Sequence, residues 1–213
     1  MVFELLQFKK EVIKMMIMLI TVAIVIGILL FIILLKGVES FDTTFESPQK
    51  RAGRRGEKIA ANIIKGVLRP DDYLFTNVEF QYDGRPAELD AVVVNKFGVF
   101  IFEVKSYSGT LVGGEDDFEW QKHKMTDAGY VYTKTVKNPI KQVKRQVYLL
   151  ANYLDYYGKK VWVDGYAIVL QGNCSVHSNL IISSVAELDR VIHTHGRNRL
   201  TQKDVNQIVN IME

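Results

Sequence analysis

Residues 15–35, MMIMLITVAIVIGILLFIILL, carry no charge, and only Thr21 and Gly27 interrupt the apolar run. As a helix rising ~1.5 Å per residue the segment spans ~31 Å, which matches a hydrocarbon core of about 30 Å. A buried helix of a soluble protein keeps a polar stripe, and this run has none. A cleaved leader has a shorter apolar region followed by a small-x-small site, and KGVES at residues 36–40 offers no such site. A transmembrane helix over residues 15–35 is therefore expected, preceded by a juxtamembrane segment, residues 1–14. Lys9, Lys10 and Lys14 come before the span, and Lys36, Lys50, Arg51, Arg54 and Arg55 follow it. The positive-inside rule then places a single-pass protein in the cell membrane with its soluble part in the cytoplasm, by a narrow margin. The single Cys174 excludes an intramolecular disulfide, in keeping with a reducing compartment.

Residues 36–49 contain a polar, aperiodic stretch with one proline and read as a linker. Residues 50–213 are long enough for one domain with its own core. Their net charge is close to neutral, so a nucleic-acid surface there has to be a local patch. A helix is expected over 50–68, where Ala60, Ile64 and Leu68 recur at helical spacing and Arg69-Pro70 ends the run. Strands are expected over 73–82, 88–95 and 98–106, with Asp83-Gly84 and residues 95–98 supplying turn chemistry. A further strand or hairpin is read over 111–121. A helix over 139–157 follows, with Asn138 as N-cap, Pro139 in its first turn and Gly158 at its exit. Another strand is expected over 161–170. Ser184–Glu187 and Thr201–Asp204 resemble capping boxes that open two short helices. The order predicts an α/β sandwich, a sheet flanked by helices.

Chemistry concentrates in ELDAVVVNKFGVFIFEVKS, residues 88–106. Alternation along a strand puts Glu103 and Lys105 on one face with Val99 and Ile101, and Asp90 on one face with Val92 and Val94. A hairpin turning at 95–98 brings Asp90 close to Glu103. Two carboxylates and an ammonium within apolar strands are costly unless they are paired or bound to a cation. Hard oxygen donors select Mg²⁺ or Mn²⁺ over zinc. The ammonium can hold an attacking water or help deprotonate it while the metal polarises a phosphate. The competing reading of Glu-x-Lys is a same-face ion pair on an exposed strand, which the apolarity of FIFEVK disfavours.

This stretch resembles the NERD, or nuclease-related, domain, a branch of the restriction-endonuclease-like PD-(D/E)xK superfamily. The matching pieces run in the family's order: Gly56-Glu57, Glu88-Leu89-Asp90, Phe102-Glu103-Val104-Lys105 with Gly109, then Asn138-Pro139 and Gln142. Leu89 stands where the superfamily's name has proline, a variable position. The resemblance covers residues 51–170 and implies a three-layer α/β sandwich around a central mixed sheet. It also implies that Asp90 and Glu103 bind the metal with the Val104 carbonyl as a third contact, and that Lys105 is the catalytic lysine. Glu57 and Gln142 match family positions as further catalytic residues. Read by themselves, Glu57 falls on the inner stripe of its helix or is a solvated first-turn carboxylate. Gln142 is placed to orient water or phosphate, or is an ordinary surface side chain.

Two basic clusters frame these residues. Lys50, Arg51, Arg54, Arg55 and Lys58 form the first, and Lys134, Lys137, Lys141, Lys144 and Arg145 the second. Arg54, Arg55, Lys137, Lys141, Lys144 and Arg145 are the expected phosphate contacts, without base specificity; solvated helix faces or anionic lipid headgroups are the alternatives. His177, His193 and His195 lack a second cysteine and do not make a zinc set. Trp120 and the aromatics between Tyr148 and Tyr157 read as packing residues. The expected function is a membrane-held, Mg²⁺- or Mn²⁺-dependent nuclease whose partners are nucleic acid, with DNA favoured, and the bilayer. The alternative is a non-catalytic nucleic-acid-binding or protein-interaction domain on the same fold.

Overall fold

The computed structural model describes residues 14–16, 18–21, 24–28, 47–194 and 199–213. The chain divides into two compact units, residues 1–47 and 48–213. In the first, the described pieces of the apolar run are helical and exposed to the surroundings. Among the described residues no helix is long and apolar enough to cross a membrane; the rest of the span expected over 15–35 lies outside them.

The second unit begins with helix α1, Pro48–Val67, which buries Gly56, Ala60 and Ile64 along one stripe. Strand β1, Tyr73–Tyr82, forms a hairpin with β2, Arg85–Asn95. Asp83 and Gly84 turn it with φ of 50° and 69°, the left-handed pair that a two-residue hairpin needs. β2 turns through Lys96 and Phe97 into β3, Gly98–Val112, with Asn95 paired to Gly98. β3 is the centre of the sheet. It runs antiparallel to β2 on one side and parallel to β6, Val163–Cys174, on the other.

Between β3 and β6 lie a second hairpin and a long helix. β4, Glu119–Met125, pairs with the end of β3 and with β5, Val131–Lys137. Helix α2, Pro139–Tyr156, opens on Asn138, whose side chain accepts the Ile140 N–H. A two-residue β7, Ile181–Ile182, lies parallel to β6. Helices α3, Val185–His193, and α4, Gln202–Met212, close the chain. Among the described residues the sheet is thus mixed, with seven strands.

Helices cover both faces, for the reason the alternating sequence gives. Val92, Val94, Val99 and Ile101 pack with Leu150 and Leu154 of α2 and Val205 and Ile208 of α4. Ala91, Val93, Phe100 and Phe102 pack with Ile64 of α1 and Leu188 and Ile192 of α3. At about 25 cal/mol per Å² of apolar surface removed from water, these two cores dominate the stability of the unit.

Four sequence expectations need correction. The strand expected over 98–106 runs on to Val112, because Gly109 at φ 106° absorbs a register shift between Ser106 and Gly109. The element read over 111–121 is the end of β3 plus the start of β4, and β5 follows; β5 is exposed along most of its length and offers no alternating apolar face. Ser184 caps α3 by accepting the Glu187 N–H, but the reciprocal bond goes one residue upstream, from the Ser183 N–H to Glu187. At α4 the full reciprocal box of Thr201 and Asp204 forms. Trp120 is fully buried and donates its Nε1–H to the Gly114 carbonyl at 2.8 Å. Of the aromatics expected to pack between Tyr148 and Tyr157, Tyr153 joins the core against Phe80 with ring centroids 4.8 Å apart, whereas Tyr148, Tyr156 and Tyr157 are exposed.

Candidate active site

The sheet opens at Asp90. The β1–β2 register runs through Thr76–Ala91 and Val78–Leu89 and omits Asn77, whose φ is 53°. On the other side, the β2–β3 pairs stop at Ala91–Phe102. The Asp90 carboxylate fills the gap by accepting the Val104 N–H at 2.6 Å. Backbone N–H and C=O of one strand residue point to the same side, so the Val104 carbonyl also faces the Asp90 edge and not β6. A left-handed non-glycine residue beside a broken ladder is the kind of local strain that accompanies functional sites.

Glu103 is 1% exposed, and its carboxylate is held at both oxygens. Lys105, next but one on the same face, forms an ion pair with Oε1. Gln146 of α2 donates from Nε2 to Oε2 at 2.6 Å and to the Glu88 carbonyl at 3.0 Å. Gln146 Oε1 is buried without a hydrogen-bond partner.

Electrostatics follow from this crowding. Burial pushes the Asp90 carboxyl up to about 7, and the neighbouring Glu103 pushes the same way; the Val104 N–H and the Lys105 ammonium offset only part of it. Glu57, reaching in from α1, adds a smaller upward push. For Lys105, burial lowers the pKa, but Glu103 and Asp90 outweigh it and hold the ammonium above its ordinary value. Lys105 is therefore charged at neutral pH.

A cleft of about 730 Å³ joins Asp90 and Lys105 to solvent, while the buried Glu103 and Gln146 do not line it. Glu57, Asp90, Val104, Lys105 and Gln142 all line it, together with Lys122, Lys134 and Lys137 from the β4–β5 hairpin. Gly56 brings α1 against β3: a Cβ there would lie 2.6 Å from Ser106 Cβ. On the far wall, Asn138 clamps the loop before β4, donating to the carbonyls of Glu115 at 2.9 Å and Asp117 at 2.7 Å while capping α2. Asn138 thus fixes where α2 starts, and with it Gln142 and Gln146.

Residues 52–170 match the family model of the nuclease-related domain, NERD. The chain belongs to this family. The NERD match starts inside α1 and ends inside β6, so it contains every cleft residue named above. An uncharacterized protein of Bacillus anthracis is 29% identical over 72 residues, 33% of this chain and 34% of that relative. The chain thus aligns with about a third of the length of that curated relative. No solved structure gives a significant match.

The expected phosphate contacts of the NERD domain separate in space. Lys137 lines the cleft, but Lys144 pairs with Glu115 at 3.0 Å and Lys141 sits 4.0 Å from the Phe118 ring centroid. Arg145 donates to the Pro86 carbonyl at 3.3 Å. Arg55 lines a separate cavity with Arg51 and Gln171, and neither Arg54 nor Arg55 lines the cleft. His193 is held between Asp72 at 2.8 Å and Asp189 at 2.7 Å, as a tie between α3 and the segment before β1. His195 lies outside the described residues.

Sequence reasoning missed Gln146. The signal was there: Ile140, Val143, Leu150 and Leu154 make an apolar stripe on α2, and Gln146 is the polar residue within it. A polar group on a buried stripe needs a partner.

Proposed function

We propose that this NERD protein is a Mg²⁺- or Mn²⁺-dependent nuclease that hydrolyses phosphodiester bonds, with DNA as the expected polymer. The observation that carries the reading is the convergence of Asp90, Glu103 and Lys105 where the β2–β3 ladder ends. The family's nuclease-related character supports it.

The donor set fits a hard cation. Among the described residues no three His, Cys, Asp or Glu side chains cluster as a metal cage. Mg²⁺ needs no such cage, because it keeps several waters and takes one or two carboxylates. Asp90 and Glu103 supply these, and the Val104 carbonyl on the same edge supplies a third oxygen. A cation bound there would polarise the phosphate and acidify a bound water. Lys105, charged and partly buried, orients the attacking water and stabilises negative charge developing on the phosphate. Gln146 holds the Glu103 carboxylate in place. Gln142 lines the cleft and positions water or a phosphate oxygen. Glu57 adds negative charge at the α1 side, strengthening cation affinity.

The uncharged run over 15–35 supports attachment to the cell membrane with the NERD domain on the cytoplasmic side. A second reading is a non-catalytic binding module on the same fold. The Lys105–Glu103 ion pair favours it, because that pair neutralises the carboxylate without a metal. Incubation of the purified full-length chain with DNA and RNA in Mg²⁺, Mn²⁺ or EDTA decides between them. Metal-dependent cleavage lost in Asp90→Ala and Lys105→Ala supports the nuclease; retained binding with no cleavage of any substrate supports the module.

A further inference from the structure

The β4–β5 hairpin is built asymmetrically. Lys122 stands directly opposite Lys134, and Lys124 opposite Tyr132, so all four share one face. Like charges directly opposed across a sheet are destabilising. Among the described residues none of these three lysines forms an ion pair; the contact of Lys122 is with the Tyr107 ring, 5.6 Å from its centroid. The opposite face is satisfied internally: His123 bonds Thr133 at 2.9 Å and Gln121 bonds Thr135 at 3.3 Å. Beyond the Glu119–Lys137 rung at its base, the opposite face is thus closed by neutral pairs, while the first face keeps uncompensated positive charge.

That charged face leads somewhere. Its root, Trp120 and Val136, packs into the core, and its next rung, Lys122 and Lys134, lines the cleft of Asp90 and Lys105. Tyr132 is 53% exposed on the outer rung, and Tyr130 at the turn is 75% exposed. Going outward from the cleft, a rung of two lysines is followed by a rung of Lys124 and Tyr132 and then by Tyr130 at the turn, with rungs about 6.8 Å apart along the strand. The hairpin is also firmly seated. A Cβ at Gly109 would lie 2.3 Å from the His123 carbonyl, so the bend of β3 and the backbone of β4 touch.

We propose that this face is a track for single-stranded nucleic acid, with phosphates on Lys122, Lys124 and Lys134 and bases stacked on Tyr130 and Tyr132. Paired lysines attract any polyanion, but exposed aromatic rings among them favour unpaired bases, whose faces are free to stack. Duplex bases present only their edges. The proposal deepens the nuclease reading above and rests on it for its role, as the path that leads an unpaired strand to the cleft.

The test measures binding of the full-length chain, in detergent and EDTA, to a labelled single-stranded 20-mer and to its blunt duplex across a salt series. The wild type binds the single strand at least tenfold tighter. Tyr130→Ala with Tyr132→Ala weakens single-strand binding by tenfold or more and leaves its salt dependence unchanged. Lys122→Ala, Lys124→Ala and Lys134→Ala together lower the salt slope by about 2. Met125→Ala with Val131→Ala, at the same depth on the other face, leaves binding unchanged. Equal affinity for duplex, or a tyrosine pair without effect, overturns the proposal. Normal cleavage without hairpin-dependent binding sinks the track and spares the nuclease. Hairpin-dependent binding without any cleavage does the reverse.

Discussion

Gln146 and Glu103 form a buried couple: the glutamine Nε2 lies 2.6 Å from the carboxylate Oε2, joining α2 to the central strand. The same nitrogen holds the Glu88 carbonyl at 3.0 Å, so one side chain ties β2, β3 and α2 together at the site. Gln146→Leu strands both acceptors. Unfolding in urea is expected to show a loss of roughly 1–3 kcal/mol, with cleavage reduced about 10- to 100-fold. Gln142→Ala, by contrast, alters a cleft-lining side chain and is expected to lower cleavage without a measurable shift in the urea midpoint. Equal destabilisation by the two substitutions would contradict this division of roles.

Asp90 sets the pH behaviour. Its carboxyl is pushed up to about 7 in the fold, against an ordinary carboxylate value in the unfolded chain. The folded state therefore binds more protons between about pH 4 and pH 7. The stability that this group contributes is complete below that window and is lost as pH rises through about 7. In EDTA, Asp90→Asn is expected to be more stable than the wild type at pH 8, by on the order of 3 kcal/mol, and about equal at pH 4. Thermal melts at the two pH values check the sign.

Metal affinity should move the opposite way with pH. A ligand must shed its proton, so Mn²⁺ binding by the wild type is expected to tighten from pH 6 to pH 8 with release of up to one proton. Calorimetry in two buffers of different ionisation enthalpy measures that proton. Asp90→Asn should release none.

Asn138 is nearly buried and makes its bonds to a loop and a helix start at once. Asn138→Ala removes the cap and frees the carbonyls of Glu115 and Asp117, an expected loss of about 2–4 kcal/mol. Hydrogen exchange should accelerate at Ile140 and in residues 113–118 before it does in β2. Uniform acceleration across the sheet would mean that the residue has no local clamping role.

Gly56→Ala places a methyl 2.6 Å from Ser106 Cβ, and helix or strand has to move. A destabilisation of roughly 1–3 kcal/mol is expected, together with weaker cleavage as α1 carries Glu57 outward. Adding Ser106→Gly should restore stability in chemical denaturation. A double variant no better than the single one would place the clash elsewhere.

Much of this was legible in the order of residues. Alternation in 88–95 and 98–106 placed Asp90, Glu103 and Lys105 on strands, and the turn at 95–98 predicted their hairpin, because a period of two and turn chemistry are local properties. The capping residues Asn138, Ser184 and Thr201 were readable for the same reason. The apolar run over 15–35 is likewise a property of composition. What needed the tertiary structure depended on which elements meet. No local pattern said that Gln146 and not only Gln142 faces the site, since that depends on the rotation of α2 over the sheet. No pattern said that Lys141, Lys144 and Arg145 would find partners in the chain while Lys122 and Lys134 would be left on the cleft wall. The β4–β5 hairpin escaped notice because an exposed edge strand gains little from burial and so carries no apolar alternation. Spacing along the chain decides which face a side chain takes, but only packing decides what it meets there.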